Sequence, residues 1–291
     1  RVDDLDEIFD EGFSSVLIAV GAHEGVRLPI PGANLNGVLI NTHFLRDVRL
    51  GKFDNGNRSE NQNSLGKNVL VLGGGNVAVD CARSAVRLDC EVQLACLEPR
   101  ADMPAHTWEV DAAEEEGVQV FPDRTFERIL ADERDHVRGV ECMRVSSFHF
   151  DQSGRLHLEK EPDSEHIIEC DTVIFSVGQR AGLAFIPDDA GVGLTDQRTI
   201  AVNPNTFATS RPGVFAAGDS VSGTAFVIEA VANGHKAAES IVRYLQELPL
   251  EPAAKPDLPV VKMTQAEIEN RISIGEIKHQ SRVPMQELPV E

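Results

Sequence analysis

The chain has 291 residues, of which 42% are hydrophobic, and a formal net charge of −20. That length holds one large or two medium domains with a substantial core. The acidic balance runs along the whole chain, which argues against nucleic acid and anionic membrane as partners, since both select a positive footprint. No apolar run approaches the roughly 20 residues that span a bilayer. No secretory leader opens the sequence, so a soluble, cytoplasmic protein is expected. Residue 1 is Arg rather than Met and begins mid-pattern, which suggests a fragment or a processed chain.

Taken in order, residues 16–20 (Val-Leu-Ile-Ala-Val) read as a short buried strand ending at Gly21. Residues 28–32 are a Pro- and Gly-rich turn, and residues 51–66, rich in Asn, Gly and Ser, read as a linker or exposed loop. Residues 69–72 form an apolar strand that runs into Gly73-Gly74-Gly75-Asn76-Val77-Ala78. A helix over 76–88 follows, with Val79, Ala82 and Val86 on one face, and then a second strand over 92–96. This is a βαβ start, which predicts a parallel sheet with helices on its faces.

Residues 118–169 read as short strands and turns, with a hairpin tip at 151–154. Residues 171–178 repeat the design of the first strand, an apolar run delivered to Gly178. Two such units suggest two related nucleotide-binding domains. A further strand over 214–217 ends in Gly218-Asp219, and a long helix over 226–245 carries the stripe Val227, Ala230, Val231, Ala238, Ile241, Val242, Leu245. Past Pro249 the chain turns Pro-rich and polar, with one short helix expected near 265–271.

A glycine turn between a strand and a helix directs backbone N–H groups and the positive end of the helix dipole at one spot, which suits a pyrophosphate. In that pattern Gly73 permits the tight turn, Gly74 continues it, and Gly75 admits the ligand close to the backbone. Asn76 and Val77 open the helix, and Ala78 allows it to pack against the strand. Glu98, at the end of the second strand, can accept hydrogen bonds from adenosine ribose hydroxyls and would repel a 2′-phosphate. Arg100 beside it could instead meet such a phosphate. Gly218-Asp219 offers a carboxylate to a sugar-alcohol hydroxyl, and the helix opening at Ala225-Phe226-Val227 aims further N–H groups outward.

Other residues read as structural. Cys81, Cys90, Cys96, Cys142 and Cys170 have no C-x-x-C spacing and are expected to be small core residues. His23, His106, His149, His157 and His166 lack metal-ligand spacing and read as surface or loop residues; no metal is expected. Glu114-Glu115-Glu116 reads as a solvated helix face, and Asp80 and Glu229, on helices beside the cofactor motifs, read as packing or capping residues at least as readily as catalytic ones.

The string at 73–80, Met103-Pro104-Ala105, and Thr209 through Asp219 (TSRPGVFAAGD) together resemble the FAD-dependent pyridine nucleotide oxidoreductases, above all the glutamate synthase small-subunit group. The likeness runs over residues 10–245. It implies an α/β fold of two Rossmann-like, three-layer domains, with a nicotinamide domain (67–181) inserted in an incomplete FAD domain (1–45 and 182–248). Residues 46–66 would then be a linker and 249–291 an extended tail.

By the same resemblance, Gly218-Asp219 would bind the FAD ribitol and pyrophosphate, and the backbone at Ala225–Val227 would face the isoalloxazine. Gly21-Ala22 and Gly178 would be the strand-end glycines where each domain meets its cofactor. Two departures stand out. Leu97-Glu98 replaces the paired arginines that read the NADPH phosphate, which favours NAD over NADP. The amino-terminal FAD fingerprint and the cysteine-rich iron–sulfur module that often flanks the core are missing from the sequence.

The expected function is hydride transfer from NADH (or NADPH) to FAD, with electrons passing on to iron–sulfur clusters or a partner subunit, since no cysteine pair is offered. No acid, base or nucleophile is required, so no catalytic side chain is assigned. The alternatives are a flavin-independent NAD-linked dehydrogenase and a non-catalytic docking module.

Overall fold

A computed structural model describes residues 4–53, 65–151, 156–251, 262–276, 278 and 280. The chain divides into two compact units, Arg1–Leu250 and Glu251–Glu291. In the first unit the elements run α1 (Leu5–Asp10), β1 (Val16–Ile18), β2 (Glu24–Gly25), β3 (Val38–Ile40), α2 (Asn41–Arg49), β4 (Asn68–Leu72), α3 (Asn76–Val86) and β5 (Glu91–Ala95). They continue as α4 (Thr107–Glu115), β6 (Gln119–Phe121), β7 (Arg124–Ala131), β8 (Val137–Phe150), β9 (Leu156–Lys160), β10 (His166–Glu169), β11 (Thr172–Phe175) and β12 (Gln179–Arg180). The last are β13 (Val214–Ala216), α5 (Asp219–Ser222) and α6 (Val227–Leu245). The second unit contains α7 (Gln265–Ser273), whose Thr264 cap accepts from the Glu267 N–H. The expected hairpin tip at 151–154 lies, apart from Asp151, outside the described residues.

Five strands form one parallel sheet in the order β3-β11-β4-β5-β6. Its central strands β4 and β11 are buried almost end to end because both faces are covered, and the side-chain alternation decides what covers each. Val69, Val71, Val92, Leu94 and Ile174 pack with Phe44 of α2, with Ala78, Cys81 and Ala82 of α3, and with Val110 and Ala113 of α4. Leu70, Leu72, Val173 and Phe175 point the other way, onto Phe126, Ile129, Val140 and Ile168.

That second covering corrects the expectation of helices on both faces. Here it is the antiparallel sheet β10-β8-β7, with β9 on the outer length of β8. The layers are therefore helices, parallel sheet and antiparallel sheet.

The region read as 1–45 and 46–66 is divided differently. Val38–Ile40 is the edge strand of the five-stranded sheet, in register with Val173–Phe175, and α2 follows it directly. Apolar residues of α2 on the α3 side, Phe44, Leu45 and Val48, explain why residues 41–49 are helical rather than loop.

Outside this sheet, β1 and β13 pair in parallel, Val16 with Val214 through Ile18 with Ala216. Their core is formed by Leu5, Ile18, Ile186, Ile200, Val214 and Ala216. Arg211 closes it from one side, paired to Asp6, with its guanidinium 5.0 Å above the Phe9 ring. A short antiparallel ribbon, Gly25 with Gln179 and Glu24 with Arg180, joins the two crossings between the halves.

The α6 stripe departs from expectation. Only Ala237 and Ser240 of this helix are buried, while Val227 is 80% and Val231 48% exposed. The apolar face is present, but most of it lies uncovered.

Candidate functional site

The site lies at the carboxyl ends of β4, β5 and β11, where an open α/β sheet binds ligands. Gly73 leaves β4 with φ +136°, and a methyl group there would lie 2.2 Å from the Ser176 carbonyl oxygen, so only glycine fits. Its N–H donates to the Ala95 carbonyl (2.8 Å), which ties the turn to β5. Gly75 caps α3 through its backbone, with no side-chain hydrogen bond at the cap. A methyl group on Gly75 would meet nothing within 4 Å. The glycine there therefore leaves open space above the amino end of α3, where the first-turn N–H groups have no side-chain acceptor.

A second segment is strapped onto this turn. Ala105 donates its N–H to the Gly74 carbonyl (3.0 Å), and His106 donates its N–H to Asn76 Oδ1 (2.9 Å). Met103 and Ala105 are buried in the helix-side core, which gives the Met-Pro-Ala string its structural role. Val77 packs at the edge of the same core.

Glu98 and Arg100, adjacent in sequence, separate in space. A methyl group on Gly74 would lie 2.8 Å from Glu98 Oε2, so the carboxylate lies directly against the glycine turn. Arg100 faces away and is committed to α4, with its Nη2 2.6 Å from Asp111 Oδ1 and 2.8 Å from Glu114 Oε2. The Arg100 alternative for a phosphate is thereby met by carboxylates of its own chain.

The acidic run is likewise not a solvated face. Glu116 accepts from Arg83 and Arg87 at 2.5 and 2.8 Å. Partial burial pushes its carboxyl up, but the two guanidiniums outweigh this and hold it below the usual range. Asp80 is displaced upward by desolvation, against the pull of Arg83.

On the other half, Gly21 and Gly178 take positive φ, +70° and +115°, at the ends of their strands, and Ala22 follows Gly21. The Gly178 carbonyl accepts from the Val26 N–H (3.0 Å), which places it on the ribbon between the halves. Gly218 also takes a positive φ (+70°) after β13, and half-buried Asp219 opens α5. No hydrogen bond to the Asp219 carboxylate forms among the described residues. Ala225 and Phe226 precede α6, and Glu229 Oε2 accepts from the Phe226 N–H (3.1 Å), so Glu229 is a cap.

All five cysteines are free. Burial pushes the Cys96, Cys142 and Cys170 thiols up to about 12 and Cys90 to about 11, and it raises Cys81 further. They are protonated and inert at neutral pH. His166 receives the Arg124 Nε–H at 3.0 Å. Among the described residues there is no cluster of His, Cys, Asp and Glu suited to a metal ion, and no helix long and apolar enough to cross a membrane.

One arrangement has no counterpart in the sequence reading. The His106 ring stacks on Trp108 (centroids 6.0 Å apart, 10° between planes) and on Phe226 (6.3 Å, 20°). The partners lie more than a hundred positions apart, so no local pattern could reveal the contact. In the same segment, Glu109 Oε2 is buried without a hydrogen-bond partner.

Comparison with known proteins agrees with this geometry. The family model described as pyridine nucleotide-disulphide oxidoreductase matches residues 5–238. The NADP(+)-dependent formate dehydrogenase subunit beta of Moorella thermoacetica is 40% identical over 250 residues, covering 84% of this chain and 34% of that protein. The NADPH-Fe(3+) oxidoreductase subunit beta of Geobacter sulfurreducens is 37% identical over 272 residues (83% and 38%). The glutamate synthase [NADPH] small chain of Azospirillum brasilense is 33% identical over 250 residues (83% and 51%). The chain thus spans a third to a half of the length of these relatives. Among solved structures, T. acidophilum thioredoxin reductase superposes with a TM-score of 0.58 at 25% identity, covering 80% of this chain and 66% of that one. Mycobacterium tuberculosis FprA in complex with NADPH gives 0.63 at 16% identity (85% and 67%), a likeness of fold.

Proposed function

The chain belongs to the pyridine nucleotide-disulphide oxidoreductase family, and we propose that it carries electrons from NADH, or NADPH, through FAD to a partner. The observation that carries this reading is the space over Gly75 at the start of α3, where no side chain caps the helix, with Glu98 against the neighbouring glycine. A dinucleotide pyrophosphate fits that space, and the N–H groups of Asn76 and Val77 would hold it. Glu98 would receive the adenosine ribose hydroxyls. Gly218 and Asp219 would hold the flavin's ribitol and pyrophosphate, with Gly21, Ala22 and Gly178 beside the cofactors and the backbone of Ala225–Val227 toward the flavin ring.

When both cofactors are bound they supply hydride transfer, which needs the two rings held at near-attack distance rather than an acid or base. The protein's task is to bind, orient and exclude water. Protonated, buried thiols favour an acceptor other than a dithiol of this chain. We therefore assign the electrons to iron–sulfur clusters on a partner subunit or domain, in a cytoplasmic setting. The names of the relatives, which are beta subunits and a small chain, support a multi-subunit context. The residues around β1, β13 and α6 form part of the flavin half in this reading, and the uncovered face of α6 supports further polypeptide completing it.

The relatives' names specify NADP(H), whereas Glu98 favours NADH here. Glu98→Arg should raise kcat/KM for NADPH at the expense of NADH, and an unchanged ratio would remove the role given to this carboxylate. In the full-length protein, Asp219→Ala should lower bound flavin, read from visible absorbance. Unchanged flavin content would sink that assignment, and a colourless wild type would favour the flavin-independent dehydrogenase.

A further inference from the structure

We propose that an internal water molecule is built into this protein between the start of α2 and the end of β11, directly behind the glycine turn. The inference does not depend on the dinucleotide reading, because it concerns the far side of that turn. It starts from the register of two neighbouring strands. Ile40 pairs with Phe175 in the parallel β3–β11 ladder, so the next positions, Asn41 and Ser176, are neighbours as well. Alternation puts both side chains on the helix-covered face, because Leu39 and Ile174, two positions earlier, pack there.

Both residues are buried, Asn41 at 1% and Ser176 at 7% exposure. Among the described residues four buried side-chain polar atoms have no hydrogen-bond partner, and three of them meet here: Asn41 Nδ2, Thr42 Oγ1 and Ser176 Oγ. The Asn41 amide is held in place. Its Oδ1 accepts the Thr42 N–H at 2.8 Å, which turns Nδ2 the other way. Gly25 of β2 roofs the amide so closely that a methyl group there would collide with Oδ1. Ser176 uses its backbone elsewhere: its N–H donates to the Leu72 carbonyl at 2.8 Å, and its own carbonyl is the wall against which Gly73 turns. The Cys81 thiol of α3 acts on Ser176, but a thiol is a weak partner and the hydroxyl makes no hydrogen bond.

Buried polar atoms without protein partners are the places where ordered water belongs, and such a water makes about three hydrogen bonds. Here Asn41 Nδ2 can donate one, and the two hydroxyls can donate or accept the others. That mixed set suits water. The amide N–H would repel a cation, and none of the three groups carries a positive charge to hold an anion. All three atoms are closed to solvent, which excludes a larger ligand. The water would tie the first turn of α2, which no side chain caps, to the strand whose end walls the glycine turn.

Thermal unfolding of the full-length protein separates a hydrated site from a dry one by sign. A buried hydroxyl without a partner opposes folding, so at a dry site Ser176→Ala raises Tm. With the water in place the same change removes one of its hydrogen bonds, and Tm should fall by about 2–4 °C. Thr42→Val should act in the same direction. Because both hydroxyls share one water, the double variant should fall by less than the two single shifts together. Exchanging chloride for gluconate at equal ionic strength should leave Tm unchanged. A high-resolution crystal structure of the full-length protein should show one density peak within hydrogen-bonding distance of Asn41 Nδ2 and Ser176 Oγ. A rise in Tm for Ser176→Ala, fully additive shifts, or a chloride dependence that Ser176→Ala abolishes would each overturn the proposal. So would a crystal structure in which Asn41, Thr42 and Ser176 bond directly to one another or to Cys81.

Discussion

The five-stranded sheet and the β1–β13 pair use the same local design, an apolar strand delivered to a glycine, but they end in different states. In the larger sheet every central strand has two neighbours and two covered faces: Val69 through Leu72 are 0% exposed. In the smaller one Ile18 is buried and the adjacent Leu17 is 41% exposed, while α6 alongside shows most of its apolar stripe to solvent. The strand sequence alone does not secure a buried strand. What decides is whether helices or a second sheet arrive to cover each face.

That contrast can be broken or sharpened by substitution. The largest effect is expected at the sheet centre. Phe175→Ala should cost about 3–5 kcal/mol in urea denaturation, and a loss under about 1 kcal/mol would mean the antiparallel layer does not pack as described. Gly73→Ala comes next, at about 3 kcal/mol, because it combines a positive φ with a backbone clash on Ser176. Gly75→Ala is its partner experiment. It should cost about 1 kcal/mol or less, as a cap change, yet weaken NAD+ binding by more than about tenfold by closing the space a pyrophosphate needs. Equal effects of the two on stability would erase the distinction between a folding glycine and a binding glycine.

Glu116→Gln should destabilise by about 2 kcal/mol at pH 7, since its carboxylate serves two guanidiniums. Its folded pKa lies below the ordinary 4.5, so this contribution is present above that value and is lost as pH falls through the folded pKa. Denaturation of the variant and the wild type should therefore converge in acid, and a difference that persists at pH 2 would assign the effect to packing. The smallest change is expected at Ile228, 73% exposed on α6. Ile228→Ser should alter the stability of these residues by less than about 0.5 kcal/mol. A loss of 2 kcal/mol would show that the α6 face is covered in solution.

The elements that carry strong local signals were legible in the sequence. The strand at 69–72, the glycine turn, the helix from Asn76 and the long helix up to Leu245 all occur within a few residues of their expected limits. β3 was not legible, because three residues between Gly37 and a helix carry too little periodicity to stand out. The antiparallel covering was hidden for a related reason, since the strands of residues 124–169 signal their existence but not which sheet face they close. At the site, Glu98 could be read from its distance after the turn. The withdrawal of Arg100 onto Asp111 and Glu114 depends on where α4 packs, and the His106–Phe226 contact depends on the whole fold.

The β1–β13 pair joins residues 198 positions apart, Ser15 reaching the Gly213 carbonyl across that span. The sheet lying between them in sequence begins at β3 and ends at β11, which are hydrogen-bonded neighbours. Once that sheet has formed, its entrance and exit stand side by side, and the long loop to be closed shrinks to two short tethers. On loop closure alone, the inserted sheet, whose β3–β11 pairing spans fewer positions than the β1–β13 pairing, is expected to form before β1 meets β13.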